Sequence, residues 1–198
     1  MTKVKNRSNF LTNSRRILSC YWYLILELLA VKTNFFNRFV TNLRKPYYEE
    51  AVKITGVNPS DKVLFIGSGI FPSQCIIISQ KTGAEVVGID NLKKAITLSK
   101  KYIEKIKLSD KIKVEFADGT SFPVNKFNVV FIAINVWPIN SILKHLANNL
   151  EKGAKVLCKS YENDIPAVLS NEKLDDIFEV KKSRFNPVSQ TYLLIKKQ

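Results

Sequence analysis

A glycine pair and a later aspartate could together hold a nucleoside. In Gly67-Ser68-Gly69 the missing side chains let backbone N–H groups approach a ligand closely. Asp90 stands 23 residues after Gly67, and a carboxylate can accept hydrogen bonds from both hydroxyl groups of a ribose. Each feature alone also has an ordinary structural explanation, because glycines permit tight packing and aspartates cap helices.

A second aspartate extends the candidate site. Asp118 is followed by Gly119, and its carboxylate can accept a hydrogen bond from the amino group of an adenine. Asn91, directly after Asp90, is a further candidate contact, and it can also cap the helix that follows. The three groups together predict a nucleoside-binding site.

All three groups follow predicted β-strands. The strands are short apolar runs, which are typical of a parallel sheet buried on both faces, and they lie at 63–66, 85–90, 112–116, 127–134 and 155–159. Helical spacing of apolar residues predicts helices at 73–81, 92–106 and 139–150. Alternating strands and helices with right-handed crossovers form an open parallel sheet. Ligands bind at the carboxyl ends of its strands, where the three groups fall.

The two ends of the chain depart from this alternation. Residues 178–185 and 191–195 are β-rich runs about a short Asn-Pro turn, which predicts an antiparallel hairpin. We therefore expect an α/β fold whose seven-stranded parallel sheet ends in this hairpin. A basic helical N-terminal cap over residues 1–57 is expected to precede a ligand-binding domain over residues 58–198.

The segment Ile17–Val31 is the most apolar part of the chain, with basic residues on both sides. Its fifteen residues are fewer than the about 20 that span a bilayer as a helix, and a charge at Glu27 would be costly inside lipid. We predict a buried cap helix in which Trp22 packs, with no membrane span. Adhesion to a membrane surface is the alternative.

Two more helices are predicted before the first strand. Phe35–Leu43 is amphipathic. Pro46 suits the first turn of a new helix over Tyr47–Thr55, because a proline there costs no backbone hydrogen bond. Gly56 then provides a left-handed stop for that helix.

The composition limits the chemistry. The net charge is +14, and residues 1–45 hold nine basic residues and one acid. Such a basic surface can attract nucleic acid, anionic lipid or anionic small molecules. The alternative is that the excess of lysine is a compositional bias of the protein, spread over solvated faces. A single histidine, His145, argues against hydrolase triads and multi-histidine metal centres. Three cysteines without a CxxC pair argue against a disulfide scaffold or a zinc site and favour a reducing compartment.

We therefore expect no metal and a cytoplasmic location. His145 is expected on the outward side of its helix, solvated rather than catalytic. Cys75 and Cys158 are expected in the core.

Four segments resemble the successive motifs of class I S-adenosylmethionine-dependent methyltransferases: Asp61–Gly69, Gly88–Asp90, Phe116–Gly119 with Pro123, and Phe127–Val130. The terminal hairpin is also expected of that fold. The resemblance implies a Rossmann-like domain that binds S-adenosylmethionine.

By that resemblance, Gly67 and Gly69 pack on the methionine part of the cofactor, and Asp90 holds the ribose. Asp118 faces the adenine. Ile134 and Asn135, after the fourth strand, line the floor beneath the transferred group. Ser68, Asn91 and Gly119 complete the predicted cofactor contacts.

Two positions depart from the methyltransferase pattern. Phe65 stands where an acid that helps anchor the methionine amino group is usual, and Phe71 stands where a third glycine is common. Phe-Ile-Gly-Ser-Gly followed by Pro72 resembles instead the loop of nicotianamine synthases and their archaeal relatives. Pro138 and Pro46-Tyr47-Tyr48 fit the same branch.

That narrower resemblance changes the expected reaction. Nicotianamine synthases move the aminocarboxypropyl arm of S-adenosylmethionine rather than its methyl group. They use an acid and a tyrosine upstream of the loop, for which this chain offers Glu27 or Glu49 and Tyr47 or Tyr48. The resemblance implies Glu27 and Tyr48 as the catalytic residues.

The function predicted is an S-adenosylmethionine-dependent transferase acting on a small-molecule acceptor, with methyl transfer ahead of aminocarboxypropyl transfer. An RNA methyltransferase is a second alternative, suggested by the basic N-terminal arm. Against it, the segment Ile134–Pro138 lacks the Asp/Asn-Pro-Pro-Tyr signature of base-amine methylation. A third alternative is a protein that binds the cofactor without catalysis.

Overall fold

The computed structural model describes residues 21–134, 136–160, 165–186 and 189–197. Its strands are β1 (Lys62–Ile66), β2 (Glu85–Asp90), β3 (Ile112–Phe116), β4 (Val129–Ile132), β5 (Lys155–Ser160), β6 (Phe178–Asn186) and β7 (Ser189–Lys196). Its helices are α1 (residues 21–32), α2 (Asn34–Thr55), α3 (Ser73–Thr82), α4 (Lys93–Lys105), α5 (Ile139–Asn149) and α6 (Ile165–Asn171).

The strands form one seven-stranded sheet in the order β3-β2-β1-β4-β5-β7-β6. The first five strands along the chain pair in parallel, whereas β7 runs antiparallel to both β5 and β6. This arrangement confirms the predicted Rossmann-like fold with its C-terminal hairpin. The strand order reverses between β1 and β4, so the ligand crevice of such a sheet lies at their carboxyl ends.

Each face of the sheet is covered by helices. The side chains of Val63 and Phe65 face α2, α3 and α4, and those of Leu64 and Ile66 face α5 and α6. All four are at most 3% exposed. This two-sided burial explains why the strand sequences are continuous apolar runs rather than alternating ones.

Residues 34–55 form one continuous helix, so the prediction of a new helix at Pro46 is wrong. Proline lacks the N–H that would bond to the carbonyl of Asn42. Both residues lie on the exposed side of α2, where water can satisfy that carbonyl. The inward residues Val40 and Val52 are buried on either side of the proline, and this packing holds the helix together. The predicted stop is confirmed: Gly56 has φ 63° and donates its N–H to Val52 O at 2.9 Å.

Other differences are local. The fourth strand is shorter than predicted, because Asn128 and Ala133 lie outside the paired residues Val129–Ile132. The short helix α6 was not predicted, since its seven residues are too few to show helical periodicity.

The predicted cap helix over Ile17–Val31 is described from residue 21 onward, and residues 17–20 lie outside the described part. Leu26 and Ala30 of α1 pack with Val40 and Phe71 in a small separate core. Trp22, which was predicted to pack, is 62% exposed, so that prediction is wrong. It lies one turn before Leu26, and it is not among the residues that pack in this small core. No helix in the described ranges is long and apolar enough to cross a membrane.

Candidate active site

The loop after β1 is tied to the neighbouring strand β2. The backbone N–H groups of Gly67 and Ser68 both donate to Ile89 O, at 2.8 and 3.0 Å. Gly67 has φ 85° and Gly69 has φ 70°, a left-handed conformation that favours glycine. A Cβ on Gly67 would lie 2.5 Å from Val136 Cγ2. The loop therefore needs glycine both for its turn and for its close approach to the segment after β4.

Asp90 joins this loop to the end of β2. Its Oδ2 accepts the N–H of Gly69 at 2.9 Å, and its Oδ1 accepts the N–H of Leu92 at 2.9 Å. The side chain is half-buried at the carboxyl end of the strand. Each carboxylate oxygen keeps a lone pair, so the group can also accept ribose hydroxyls.

The hydrogen bond that the Asp90 carboxylate accepts from the Leu92 N–H changes the role predicted for Asn91. Asn91 was expected to cap α4, but the N-cap position is Leu92, and no side chain caps it. The carboxylate of Asp90 satisfies the Leu92 N–H instead. Asn91 is exposed beside that carboxylate, so its predicted contact with the cofactor stays a prediction.

Ser68 lies in the loop, but its side chain points into the core. A Cβ on Gly88 would lie 2.8 Å from Ser68 Cβ and 3.1 Å from Cys75 Sγ. The hydroxyl is buried with no hydrogen-bond partner in the described part of the chain, and the carbonyl accepts Gln74 Nε2 at 3.1 Å. The side chain of Ser68 therefore packs the loop onto β2, and the predicted contact of Ser68 with the cofactor stays a prediction.

Asp118 begins a turn directly after β3. Its Oδ1 accepts the N–H and the hydroxyl of Thr120, both at 2.8 Å, and these bonds lower the pKa of Asp118. The carboxylate is exposed, so its other oxygen can face a ligand. A Cβ on Gly119 would lie 2.8 Å from Ile66 Cγ2, which brings this turn close to the end of β1. Three strand ends thus meet, as the sequence predicts.

The segment after the fourth strand contributes fewer described residues to the candidate site than predicted. Ile134 lies in a turn after β4 and is half-buried. Asn135 lies outside the described residues. Around the same edge, exposed apolar side chains follow or end three strands: Leu92, Phe116 and Trp137. They provide apolar walls for a ring beside polar groups that can orient it.

A carboxylate from outside the sheet joins the candidate site at the carboxyl ends of the strands. Glu27 of α1 is 8% exposed, and its Oε2 accepts the N–H of Ile70 at 2.8 Å. A Cβ on Gly69 would overlap this carboxylate. The N-terminal cap therefore places an acid against the glycine loop.

Arg44 fixes Glu27 in this position. Its Nη2 forms an ion pair with Glu27 Oε1 at 2.7 Å, and its Nη1 donates to Phe71 O at 3.3 Å. The same nitrogen donates to Ser73 Oγ at 2.9 Å and to Gln74 Oε1 at 3.1 Å. One guanidinium from α2 thus joins α1, the loop and the start of α3. Sequence patterns did not indicate Arg44, since its partners are 17 to 30 residues away along the chain.

Tyr48 covers the position where the methyltransferase pattern has an acid. Its ring packs edge-on against Phe65, with 5.8 Å between centroids, and Phe65 stacks on Phe131. Burial raises the pKa of Tyr48, so the hydroxyl stays protonated. That hydroxyl has no hydrogen-bond partner among the residues that the structure describes, and it remains available to a ligand.

Tyr47 and Glu49 face other partners. Tyr47 lies under Lys159 Nζ, which is 4.3 Å from its ring centroid, and its hydroxyl is 3.5 Å from Thr191 Oγ1. Glu49 lies 3.8 Å from Lys81 Nζ on α3. Of the alternatives that the sequence left open, Glu27 and Tyr48 are therefore the pair beside the loop and β1.

The remaining candidates are structural. His145 is half-buried, and its ring nitrogen Nε2 lies 2.7 Å from Phe122 O, in the turn after Asp118. The expectation of a solvated histidine is therefore wrong. Cys75 and Cys158 are buried, as predicted. The described residues contain no group of three histidine, cysteine or acidic side chains that could hold a metal ion.

Comparisons with known proteins agree with this geometry. Residues 28–189 match the family model described as nicotianamine synthase protein. A mutant of MtNAS superimposes with a TM-score of 0.78 at 16% identity, covering 98% of this chain and 77% of the other. MtNAS in complex with MTA and tNA gives 0.70 at 16% identity, covering 88% and 70%.

A methyltransferase also shares the fold. A protein from Methanococcus maripaludis, described as S-adenosyl-L-methionine-dependent, gives a TM-score of 0.71 at 13% identity, covering 87% of this chain and 94% of the other. No curated protein matches the sequence at a significant level.

These matches confirm the predicted resemblance, the fold class and the prediction of an enzyme that uses S-adenosylmethionine. They support the nicotianamine synthase-like alternative for the reaction. Because the family model spans about four fifths of its residues, the chain belongs to the nicotianamine synthase family.

Proposed function

We propose that this chain transfers the aminocarboxypropyl group of S-adenosylmethionine to the amino nitrogen of a small-molecule acceptor. One observation carries the proposal: the carboxylate of Glu27 lies against Gly69 and Ile70, where the glycine loop would meet the methionine end of the cofactor. The acid missing at Phe65 is replaced here by one from the N-terminal cap. An acid in this different place argues for a different orientation of the sulfonium.

The strand ends fit an adenosyl group. The carboxylate of Asp90 is held by the Gly69 and Leu92 N–H groups in a position to receive ribose hydroxyls. Asp118 presents an exposed carboxylate to the adenine amino group. The exposed side chains of Leu92 and Phe116 lie beside these two aspartates along the chain and provide apolar walls. Gly67 and Gly69 have no side chains that would block the sulfur end, and the side chain of Ser68 points toward β2.

Bound S-adenosylmethionine supplies a sulfonium carbon that an amine can attack, so that the carbon–sulfur bond breaks and methylthioadenosine leaves. The protein must hold the attacking nitrogen in line with that carbon and exclude water. Glu27 can accept a proton from the acceptor nitrogen, because a carboxylate held near the attacking amine serves as a general base. The protonated hydroxyl of Tyr48 can donate a hydrogen bond to the substrate beside Phe65.

The comparisons support this choice of reaction. The family described as nicotianamine synthase matches across the glycine loop, Asp90 and Asp118, and MtNAS has been crystallised with MTA. Transfer of the aminocarboxypropyl arm leaves methylthioadenosine, whereas transfer of the methyl group leaves S-adenosylhomocysteine.

Identification of the by-product tests the proposal. The chain is incubated with S-adenosylmethionine alone and with single amino acids, and the products are separated by liquid chromatography with mass detection. We expect methylthioadenosine, with loss of most of it in the Glu27→Gln variant. S-adenosylhomocysteine as the main product would show methyl transfer. If S-adenosylhomocysteine formed from S-adenosylmethionine only when RNA was added, the RNA methyltransferase alternative would be correct.

A further inference from the structure

Helices α1 and α2 carry an unusual number of exposed apolar side chains. Six of the ten large hydrophobic residues that are exposed in the described part of the chain lie within residues 21–43. We call them the N-terminal apolar surface: Tyr21, Trp22, Ile25, Phe35, Phe39 and Leu43, which are 49–73% exposed. Scattered single exposures are ordinary in folded proteins, whereas a group on adjoining helices marks an interaction site.

Helix α2 is apolar on two sides. Phe35, Phe39 and Leu43 recur every four residues and therefore share one face, which is exposed. A different side of the helix packs inward through Val40, which is 3% exposed. Among the residues that the structure describes, only the inner apolar face has a partner, and an exposed apolar face of this kind marks an interaction site.

The charges around this surface have one sign. Lys32, Arg38 and Lys45 are exposed on or next to the same helices. Glu27 is the only acid in residues 1–48, and it is buried in its ion pair with Arg44. Residues 1–20 add five basic residues and no acid. No exposed carboxylate of residues 21–48 therefore opposes a negatively charged partner.

We propose that the N-terminal apolar surface binds the anionic phospholipid surface of a membrane, with its apolar side chains among the lipid headgroups. Tryptophan and tyrosine favour that interface, and basic residues beside an apolar helix face attract anionic lipids. A second copy of this chain fits less well, since it would bring the same uncompensated positive charges together. The proposal is independent of the reaction at the strand ends.

Trp22 provides the measurement. The chain has two tryptophans, so a Trp137→Phe background leaves Trp22 as the sole tryptophan. It is mixed with phosphatidylcholine vesicles that contain phosphatidylserine, and separately with vesicles of phosphatidylcholine alone. We expect the Trp22 emission to shift to shorter wavelength and to be quenched by brominated lipid only with phosphatidylserine present. Raising the salt concentration is expected to weaken the effect.

Removing part of the apolar face separates lipid insertion from charge attraction alone. Phe39→Ser combined with Leu43→Ser is expected to lower the partition coefficient by about tenfold or more. Val180→Ser, at an exposed position on β6, is the matched control and should bind like the parent. Circular dichroism and thermal unfolding check that each variant is folded.

Four outcomes would overturn the proposal. The first is no binding to phosphatidylserine vesicles at low salt. The second is unchanged binding by the Phe39/Leu43 variant, which would assign the attraction to charge alone. The third is a Trp22 that is already shielded without lipid in a particle of doubled mass, which would assign the surface to a second copy. Equal shielding of Trp22 by polyglutamate would likewise overturn the proposal and assign the surface to an acidic protein.

Discussion

The carboxylate of Glu27 accepts a hydrogen bond from the backbone N–H of Ile70, 43 residues further along the chain, at 2.8 Å. This bond joins the first described helix to the loop that follows β1. Because the ion pair with Arg44 occupies the other carboxylate oxygen, the acid has a fixed position rather than a range of rotamers. Helix α1 thus holds a carboxylate against the loop that follows β1, which is where the proposed reaction places a base.

The variant Glu27→Gln tests the role of this carboxylate. Glutamine keeps the size and can still accept the Ile70 N–H, but it loses the charge and cannot act as a base. We expect formation of methylthioadenosine to fall by about 100-fold or more, the range that general base catalysis contributes. The control is Glu49→Gln, since Glu49 pairs with Lys81 away from the loop. Equal losses in the two variants would contradict the assignment.

Gly69→Ala tests whether the closeness of Glu27 to the loop matters for activity. Gly69 has φ 70°, so a side chain there costs about 1–2 kcal/mol of stability, and its Cβ would also displace the Glu27 carboxylate. Gly153→Ala is the matched control, because Gly153 has φ 83° and nothing within 4 Å of the added Cβ. Urea unfolding should show the backbone cost in both variants and a further loss in Gly69→Ala, because only there does the added Cβ overlap a side chain. Only Gly69→Ala should lose most of its activity.

The meeting of three strand ends could be predicted because it depends on local pattern. The apolar runs before Gly67, Asp90 and Asp118 predict buried strands, and the parallel arrangement places their carboxyl ends on one edge. The Asp90 contact with Gly69 then follows from neighbouring strands in register.

The contribution of the cap could not be predicted in the same way. Glu27 was singled out as the one acid in an apolar run, but its contact with Ile70 depends on how α1 packs, and no periodicity encodes that angle. Arg44 gave no signal, because its four partners come together only in three dimensions. Pro46 misled the helix prediction since its exposure, which makes it tolerable inside α2, is a tertiary property.

Asp90→Asn tests the proposed ribose contact. The amide replaces one of the two oxygens that accept backbone N–H groups, and hydrogen bonds to charged groups contribute about 1.5–3 kcal/mol. We expect the affinity for S-adenosylmethionine in calorimetric titration to fall by about 10-fold to 100-fold. Asp61→Asn is the control, since Asp61 also accepts a backbone N–H, that of Asn58, but at the other end of β1. A comparable loss of affinity there would show an indirect effect of stability.

Three groups, the partly buried Tyr47 and Tyr48 and the buried Cys75, couple the stability of this fold to alkaline pH. Burial raises the pKa of Tyr47 to about 12 and that of Cys75 to about 12, and it also raises the pKa of Tyr48. Between pH 9 and 12 the unfolded chain releases protons that the folded chain retains. The free energy of unfolding therefore falls as the pH rises through this range, by up to about 1.4 kcal/mol per pH unit for each group.

Tyr48→Phe removes one of these groups while keeping the ring against Phe65. We expect the free energy of unfolding, measured by urea titration from pH 8 to 11.5, to fall less steeply in this variant than in the parent. Below pH 9 Tyr48 is protonated in both the folded and the unfolded chain, so the slope there should be the same in the variant as in the parent. Tyr21→Phe is the control, because Tyr21 is 65% exposed. An equal dependence of the free energy of unfolding on pH above pH 10 in Tyr48→Phe and in the parent would mean that water reaches the Tyr48 hydroxyl. The proposed role of that hydroxyl as a donor to the substrate would then lose its physical basis.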